Sequence, residues 1–417
     1  MKLIFSKGKI VQKDADIKQV IDDLRESRDL IGSYSSDDLI EFFDKAAESW
    51  TKDKELLKIF GGGLKHLADF IKKDNTVRML DFALRGNHKV LDGFVDFNQP
   101  GYTYMCQPRG LVVHWLAGNV PLLGFYSIIQ AALTKNVSLV KASNRAYEDL
   151  VKLLGSLNSI ETKISGKKLL QTICVVLVDR DDKKTQTIMS EAADVRIAWG
   201  GPEAIEAITS LKKSIFCDDI IYGPKYSYGI VDKAADQAKV AKRLAFDICT
   251  FDQYACSSPH TIFVQGNSIA FAENLAKQLD FVTKKFLPKE DRDAQKNLDI
   301  LTQRAKYSMT GKVFSSKNTD WTVIHTDEEG LADACFSRVV FIKPIKDFKE
   351  LSSYSTRKIQ TLGVAISGER EKIISKLTRN GIDRCPKYGE MTLFESPWDG
   401  FFAIDRLVRW VGLCKDD

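Results

Sequence analysis

The sequence lacks the features that mark metal enzymes and disulfide-stabilised proteins. Its 417 residues include only five histidines, and none belongs to an HExxH motif or another paired set of metal ligands. The eight cysteines are scattered along the chain without a CxxC pair. A zinc site and a disulfide framework are therefore disfavoured. We predict that the protein binds no metal and works in a reducing, cytoplasmic environment.

Long apolar runs and a strong excess of one charge are missing as well. No stretch approaches the roughly 18 to 20 apolar residues that cross a bilayer, and the opening residues lack the sustained apolar region of a signal peptide. Lys and Arg number 61 against 56 Asp and Glu, so the net charge is only +5. Over this length, such a balance does not indicate nucleic-acid binding. We predict neither a membrane span nor a nucleic-acid partner.

The composition that remains is that of a globular chain, with 44% hydrophobic and 28% charged residues. Residues 1–98 form a charged region with helical periodicity. From about residue 99, short apolar strands alternate with helices, which predicts an α/β fold with a parallel sheet covered on both faces. We predict one such domain over residues 99–220, completed by residues 386–417, and a second α/β domain over residues 221–385.

Cys256 has the local sequence of a reactive thiol. Small residues surround it within Ala255–Pro259, and a proline forces a turn directly after them. Small neighbours let a substrate approach a thiol, and turn N–H groups can hold an oxyanion. The alternative is a buried cysteine that acts as a small hydrophobic residue. His114 and His260 are each open to a role as a base or to a structural role.

Several motifs in a fixed order carry a resemblance to a known superfamily. They are Gly118–Pro121, Val140–Ser143, Trp199–Glu203, Tyr222–Lys225 and Gln253–Cys256. This order resembles the aldehyde dehydrogenase superfamily. Within it, three stretches are similar to the LuxC-type acyl-CoA reductases that make fatty aldehydes: His114–Pro121, Asp252–Pro259 and Ser396–Gly400. The resemblance covers about residue 100 to the last residue.

The resemblance implies an aldehyde dehydrogenase-like fold, with a Rossmann-type cofactor domain and an α/β catalytic domain beside the helical N-terminal region. Cys256 matches the family's nucleophile. Asn119 matches the side-chain amide that holds the oxyanion together with the backbone N–H of the nucleophile. These two residues are the expected catalytic pair.

The resemblance also implies a nicotinamide cofactor site. Lys141 and Ser143 match the strand end that contacts the adenosine ribose. Gly200 and Gly201 match the turn before a helix near the pyrophosphate, where the helix N-terminus favours anions.

One position bears on the choice between NADPH and NADH. NAD-preferring relatives often carry a glutamate three residues after the lysine, which would repel a 2′-phosphate. Here that position is Asn144, and Arg145 follows it. A neutral residue beside a cation tolerates a phosphate. We therefore predict NADPH, with NADH as the alternative.

Two departures from the superfamily concern the outcome of the reaction. Ile221 occupies the position where aldehyde-oxidising members carry the glutamate that activates water, so hydrolysis to the free acid should be slow. The Glu-x-Phe-Gly-Pro motif that anchors the nicotinamide ribose is absent, and its nearest counterpart is Ala334–Arg338. How that ribose is anchored stays open.

The resemblance thus implies an oxidoreductase that reduces a long-chain fatty acyl thioester to the aldehyde with NADPH, through a thioacyl-cysteine intermediate. Two alternatives remain, a short-chain acylating aldehyde or semialdehyde dehydrogenase and a non-catalytic acyl-binding subunit. The expected partners are an acyl-CoA or acyl-enzyme substrate and an acyl-protein synthetase. Oligomers are common in the superfamily, so a homo-oligomer is expected too.

Overall fold

The computed structural model describes residues 1–116, 118, 121–289 and 293–415. The chain divides into two compact units. The first contains Met1–Gly223 and Phe394–Asp417, and the second contains Pro224–Leu393. The predicted boundaries near residues 220 and 386 lie close to these divisions, and residues 1–98 form part of the first unit. The predicted roles of the regions remain predictions.

The strands are short and buried for the most part. They are β1 (Lys2–Ser6), β2 (Lys9–Asp14), β3 (Tyr102–Pro108), β4 (Leu111–Trp115), β5 (Val137–Lys141), β6 (Ile173–Leu177), β7 (Val195–Trp199), β8 (Asp218–Tyr222), β9 (Tyr226–Val231), β10 (Pro259–Val264), β11 (Lys312–Ser315), β12 (Thr322–His325), β13 (Val339–Pro344), β14 (Ile359–Ala365) and β15 (Val408–Cys414).

The helices connect and cover these strands. They are α1 (Ile17–Glu26), α2 (Arg28–Gly32), α3 (Ser36–Trp50), α4 (Lys54–Phe70), α5 (Lys73–Ala83), α6 (Pro121–Leu133), α7 (Tyr147–Ser156), α8 (Gly166–Leu169), α9 (Lys183–Ala192), α10 (Pro202–Thr209), α11 (Gln237–Cys249), α12 (Ser268–Lys285), α13 (Ala294–Thr310), α14 (Arg370–Thr378) and α15 (Ala403–Arg406). Among the described residues, no helix combines the length and apolar character needed to cross a membrane.

The first unit is built on a seven-stranded sheet in the order β2-β1-β6-β5-β4-β7-β8. Strands β6, β5, β4, β7 and β8 are parallel, and β1 adds to β6 in the antiparallel direction. Their apolar runs suit a sheet whose two faces are both covered. The helical description of residues 1–98 is thus incomplete, because β1 and β2 extend this sheet. A separate two-stranded antiparallel sheet pairs β15 with β3.

The N-terminal helices begin and bend where local chemistry requires it. Ser35 and Asp38 form a reciprocal capping box at the start of α3, which satisfies backbone N–H groups that a helix start leaves unpaired. Three consecutive glycines, Gly61–Gly63, lie within α4. The helix is kinked at the first of them, where Gly61 has φ 53° and ψ −134°. Glycine tolerates this left-handed value because it lacks a Cβ.

His114 is a structural histidine of the first unit. It lies fully buried in β4, where its ring nitrogens are 3.2 Å from the hydroxyls of Ser127 and Ser138. Burial disfavours the charged imidazolium and lowers the pKa of His114 to about 3. Both nitrogens are occupied by serines of the sheet and of α6, so a role as a base is not supported by its contacts.

The low pKa of His114 predicts an acid-sensitive first unit. Below the ordinary pKa of 6.5, His114 is protonated in the unfolded chain but stays neutral in the folded chain. Stability therefore falls as the pH falls toward 3. The contribution is about 1.4 kcal/mol per pH unit, or about 2 kcal/mol between pH 6.5 and pH 5. In urea denaturation at these two pH values, His114→Gln should lack that loss. An equal loss in the variant and the wild type would contradict the assignment.

The second unit is built on a six-stranded sheet in the order β11-β12-β13-β10-β9-β14. All neighbours are parallel except β11 and β12. Helices α11 and α12 bury an apolar face against this sheet, with Leu244, Ile248 and Leu275 among its fully buried residues. This core fixes the carboxyl end of α11, which lies seven residues before Cys256 in the sequence.

Candidate active site

Cys256 lies between the end of α11 and the start of β10. The chain leaves α11 through a short 3-10 turn, Thr250–Gln253, and enters β10 at Pro259. The Cys256 carbonyl accepts a hydrogen bond from the hydroxyl of Ser227, the second residue of β9, at 2.7 Å. Cys256 therefore sits at the amino-terminal edge of the parallel strands, whereas the expected ligand edge of the first unit's sheet is the carboxyl-terminal one.

Hydrogen bonds close the Cys256 segment on itself. The side-chain amide of Gln253 donates to the Pro259 carbonyl at 2.8 Å, and the Ser258 N–H donates to the Ala255 carbonyl at 3.0 Å. The Ser227 hydroxyl that holds Cys256 itself accepts from the Thr361 N–H at 3.1 Å. These bonds tie the segment to two strands and fix the backbone around the thiol.

Two runs of left-handed backbone meet beside this segment. Residues 251–253 have φ values of 54°, 48° and 63°, and residues 336–338 have φ values of 59°, 54° and 67°. For residues other than glycine this conformation costs roughly 1 to 2 kcal/mol each. The Ser337 N–H donates to the Asp252 carbonyl at 2.8 Å, so each run supports the other. Strain of this kind collects at functional sites, where the surroundings enforce it.

Arg338 is the charged group that holds the two runs together. Its side chain is 2% exposed, and its Nε donates to Asp252 Oδ1 at 2.5 Å. Nη1 donates to the Leu287 carbonyl at 2.7 Å and to the Thr283 hydroxyl at 3.0 Å. A buried guanidinium is tolerated only when it is paired and hydrogen-bonded in this way. Arg338 thus anchors the turn that presents Cys256.

Three buried polar atoms around Cys256 lack a hydrogen-bond partner within the described part of the chain. They are Gln253 Oε1, Ser258 Oγ and His260 Nδ1. Gln253 and Ser258 are 0% exposed and His260 is 3% exposed. Almost all buried polar groups in native proteins are satisfied, so several exceptions in one segment indicate a ligand or a catalytic role.

Burial separates Cys256 from most of the other cysteines. Desolvation raises the pKa of six thiols and holds them as neutral, unreactive groups: Cys106, Cys174, Cys217, Cys249, Cys335 and Cys385. Cys256 is only partly buried, and Cys414 is exposed at the end of β15. Of these two, only Cys256 lies in a segment with unpartnered polar atoms.

The residues predicted to bind the adenosine ribose lie at the carboxyl end of β5 in the first unit. Burial lowers the pKa of Lys141, the last residue of the strand, and Asp179 opposes the shift. The Ser143 hydroxyl is buried and has no hydrogen-bond partner among the described residues. A Cβ on Gly118 would come within 2.8 Å of that hydroxyl, so the end of β4 approaches it closely. An unsatisfied hydroxyl at this edge fits a polar ligand.

Gly200 and Gly201 form the turn from β7 into α10. The Gly200 N–H donates to the Tyr222 carbonyl at 3.3 Å, and Gly201 is the N-cap, followed by Pro202 at the first helical position. This places the N-terminus of α10 at the carboxyl edge of β7, where a helix favours an anion. Arg145 is exposed just beyond β5. These positions fit a phosphate-bearing cofactor.

Asn119, the predicted oxyanion residue, lies outside the described residues. The sequence contains no indication of the roles of Ser227, Asp252 and Arg338, although Asp252 and Arg338 lie within motifs named above. The contact between Asp252 and Arg338 spans 86 residues of sequence, and no local pattern indicates it.

Comparison with known proteins places the chain in a family. Residues 14–410 match the family described as acyl-CoA reductase (LuxC). A long-chain acyl-protein thioester reductase of Aliivibrio fischeri is 31% identical over 313 residues, which cover 73% of this chain and 64% of the relative. A long-chain acyl-protein thioester reductase 2 of Photobacterium leiognathi is 32% identical over 311 residues, with the same coverage. The chain thus spans less than two-thirds of the length of these relatives.

Solved structures show the same fold at low identity. Aldehyde dehydrogenase 21 of Physcomitrella patens, solved with succinate, has a TM-score of 0.73 and 14% identity, covering 99% of this chain and 98% of that one. A 1-pyrroline-5-carboxylate dehydrogenase variant of Thermus thermophilus has a TM-score of 0.71 and 14% identity, covering 99% and 92%. The predicted α/β, aldehyde dehydrogenase-like fold is confirmed. The chain belongs to the acyl-CoA reductase (LuxC) family, as its motifs predict.

Proposed function

We propose that the protein is a reductase that converts a long-chain acyl thioester into the aldehyde, with Cys256 as the nucleophile and NADPH as the reductant. The observation that carries the proposal is the segment around Cys256. Its backbone is held by Ser227 and the Asp252–Arg338 pair, and it contains three buried polar atoms without partners in the described chain. Two relatives are long-chain acyl-protein thioester reductases, which supports the substrate class.

The chemistry divides one difficult step into two easier ones. The Cys256 thiolate attacks the acyl carbonyl, the carbon–sulfur bond of the donor breaks, and the donor leaves as a thiolate. Backbone N–H groups of the turn and the side chain of Asn119 are the proposed donors to the oxyanion. The acyl group is then bound to Cys256 as a thioester.

The first unit supplies the cofactor site in this proposal. Lys141 and Ser143 would hold the ribose, and the turn at Gly200 and Gly201 would hold the pyrophosphate. A reduced nicotinamide, when bound, supplies the hydride that converts the thioacyl group to a thiohemiacetal. Collapse of the thiohemiacetal oxyanion breaks the bond to Cys256, releases the aldehyde and returns Cys256 to its thiolate form.

Ile221 favours release as aldehyde over hydrolysis. It is half-buried near the end of β8, at the position where aldehyde-oxidising members of the superfamily carry a water-activating glutamate. An aliphatic side chain cannot take a proton from water. The thioacyl enzyme should therefore wait for hydride and yield little free acid.

Turnover with two thioesters tests the proposal. NADPH oxidation and aldehyde formation are measured with tetradecanoyl-CoA and with acetyl-CoA. The proposal expects an aldehyde product and a clear preference for the tetradecanoyl thioester. A preference for acetyl-CoA would favour a short-chain acylating dehydrogenase, and cofactor binding without hydride transfer to any thioester would favour a non-catalytic subunit.

The predicted NADPH preference depends on Arg145. Its exposed guanidinium is the proposed partner of the 2′-phosphate, and a charge-assisted contact of this kind is worth about a tenfold change in affinity. Arg145→Ala should raise the KM for NADPH about tenfold and leave the KM for NADH unchanged. Arg78→Ala on α5 is the matched control, because it removes another exposed arginine. Equal changes for both cofactors would contradict the assignment.

A further inference from the structure

His260 occupies an irregular position in β10. Pro259 pairs with Ser227 of β9 and Thr261 pairs with Tyr228, so His260 is the extra residue of a bulge. A bulge redirects the side chain of its extra residue, and bulges are over-represented next to active sites. The bulge comes directly after the Cys256 segment and beside Ser227, which holds the Cys256 carbonyl.

The residues around His260 pack against its ring but leave Nδ1 without a hydrogen-bond partner among the described residues. Its ring lies 5.2 Å from the ring of Tyr226 and 5.2 Å, edge to face, from that of Phe336. The Tyr226 hydroxyl is already engaged with Thr261 at 2.7 Å and with the Ala332 carbonyl at 2.8 Å. Phe336 is stacked on Tyr254, two residues before Cys256. Two aromatic rings thus fix the orientation of His260, while Nδ1 finds no partner among the described residues.

Burial also keeps the ring uncharged. Desolvation lowers the pKa of His260 to about 4, so the imidazole is neutral at physiological pH and is a poor proton acceptor for a thiol. A neutral imidazole remains a good hydrogen-bonding group. Leaving such a group buried and unpaired costs stability, and a ligand that pairs with it would recover that cost.

We propose that His260 is a substrate-binding residue of the Cys256 site, which hydrogen-bonds the incoming acyl thioester through Nδ1 while Cys256 attacks. The inference rests on the proposed function and deepens it. No proton is transferred to or from His260 in this role. Its contribution is to orient the thioester relative to the thiol, and it acts in the acylation step before any hydride transfer.

Covalent geometry gives the inference a sharp test. In histidine, Nδ1 is bonded to Cγ, and the terminal amide atoms of asparagine are also bonded to Cγ. Asparagine can therefore place a hydrogen-bonding atom where Nδ1 stood, whereas glutamine extends one bond further and imitates Nε2. His260→Asn should retain the function of His260, and His260→Gln and His260→Leu should lose it.

The experiment measures acylation of the full chain without nicotinamide. Each variant is mixed with tetradecanoyl-CoA, and the growth of the acyl adduct is followed by intact mass and normalised to folded protein. His260→Asn should acylate within about threefold of the wild type, while His260→Gln and His260→Leu should be slower by about tenfold or more. His325→Asn is the control, because His325 is a buried histidine of the same unit that pairs with Ser268 at 2.9 Å.

The outcomes separate the two proposals. If the wild type forms no adduct, the proposed function fails. If the wild type is acylated and all three His260 variants match it, or if glutamine rescues better than asparagine, the His260 assignment fails. Thermal denaturation adds a second readout: a substrate-binding role leaves His260→Leu at least as stable as the wild type, because it removes an unpaired buried nitrogen. A structural role predicts that stability falls and that the acylation rate per folded molecule is unchanged.

Discussion

Replacing Cys256 by alanine is expected to lower aldehyde formation by about 1000-fold or more, because removal of a nucleophile abolishes the covalent route. The fold should tolerate the change. Cys256 is only partly buried, and its backbone carbonyl, which accepts from Ser227, is kept by alanine. The free energy of unfolding should therefore change by less than about 1 kcal/mol. NADPH oxidation with tetradecanoyl-CoA, together with a urea denaturation curve, measures both quantities.

Cys385→Ala is the matched control for this variant. Cys385 is also a partly buried cysteine of the second unit, but burial raises the pKa of its thiol to about 11. Its removal should leave turnover close to that of the wild type. Comparable losses in the two variants would show that the assay reports general damage to the second unit, and turnover that persists in Cys256→Ala would place the chemistry elsewhere.

Breaking the Asp252–Arg338 pair should have the largest effect on stability. Arg338 is 2% exposed, so Asp252→Asn would leave a buried guanidinium without its counter-charge. Removing one partner of a buried pair typically costs about 3 to 5 kcal/mol. The left-handed turn of residues 251–253 would also lose the contact that enforces it. We expect a lower urea midpoint and a slower acylation of Cys256 in the molecules that remain folded.

A double-mutant cycle isolates this pair. Asp252→Asn, Arg338→Met and the combined variant are compared in stability and in acylation rate, and the coupling should be at least about 1 kcal/mol for residues in direct contact. Arg196→Met is the control, since Arg196 is 1% exposed and bonds Asp219 through two nitrogens at 2.7 and 2.8 Å in the first unit. The Arg196→Met substitution should destabilise the protein and leave the acylation rate per folded molecule unchanged. Additive effects of Asp252→Asn and Arg338→Met would contradict the anchoring role.

Regular elements and their order could be predicted from local pattern. Apolar runs such as Leu111–Trp115 and Val195–Trp199 form buried parallel strands, because a strand covered on both faces must be apolar throughout. Ser35 and Asp38 have the spacing of a capping box, which is a local signal for the start of α3. The α/β class follows from these features alone. The β1–β2 hairpin escaped prediction because β2 is exposed along its whole length and carries no apolar pattern.

The reactive residue of the candidate site could be predicted from the sequence, but the contacts that hold it in place could not. Small residues and a proline around Cys256 identified the thiol, since these features are contiguous in sequence. The anchoring by Arg338, the hydrogen bond from Ser227 and the bulge at His260 depend on strand register and on contacts between distant segments. Periodicity and composition carry no information about either. For this reason the sequence alone does not decide between a base and a structural role for His260, whose unsatisfied nitrogen is a property of the folded chain.

The most direct test of the account is the mass of the intact protein after exposure to tetradecanoyl-CoA in the absence of nicotinamide. Without hydride the acyl group should remain on the enzyme. The account predicts one added acyl group, located by peptide mapping on the fragment that contains Cys256 and absent from Cys256→Ala. Failure of the wild type to gain an acyl group, or an adduct that persists in Cys256→Ala, would contradict it.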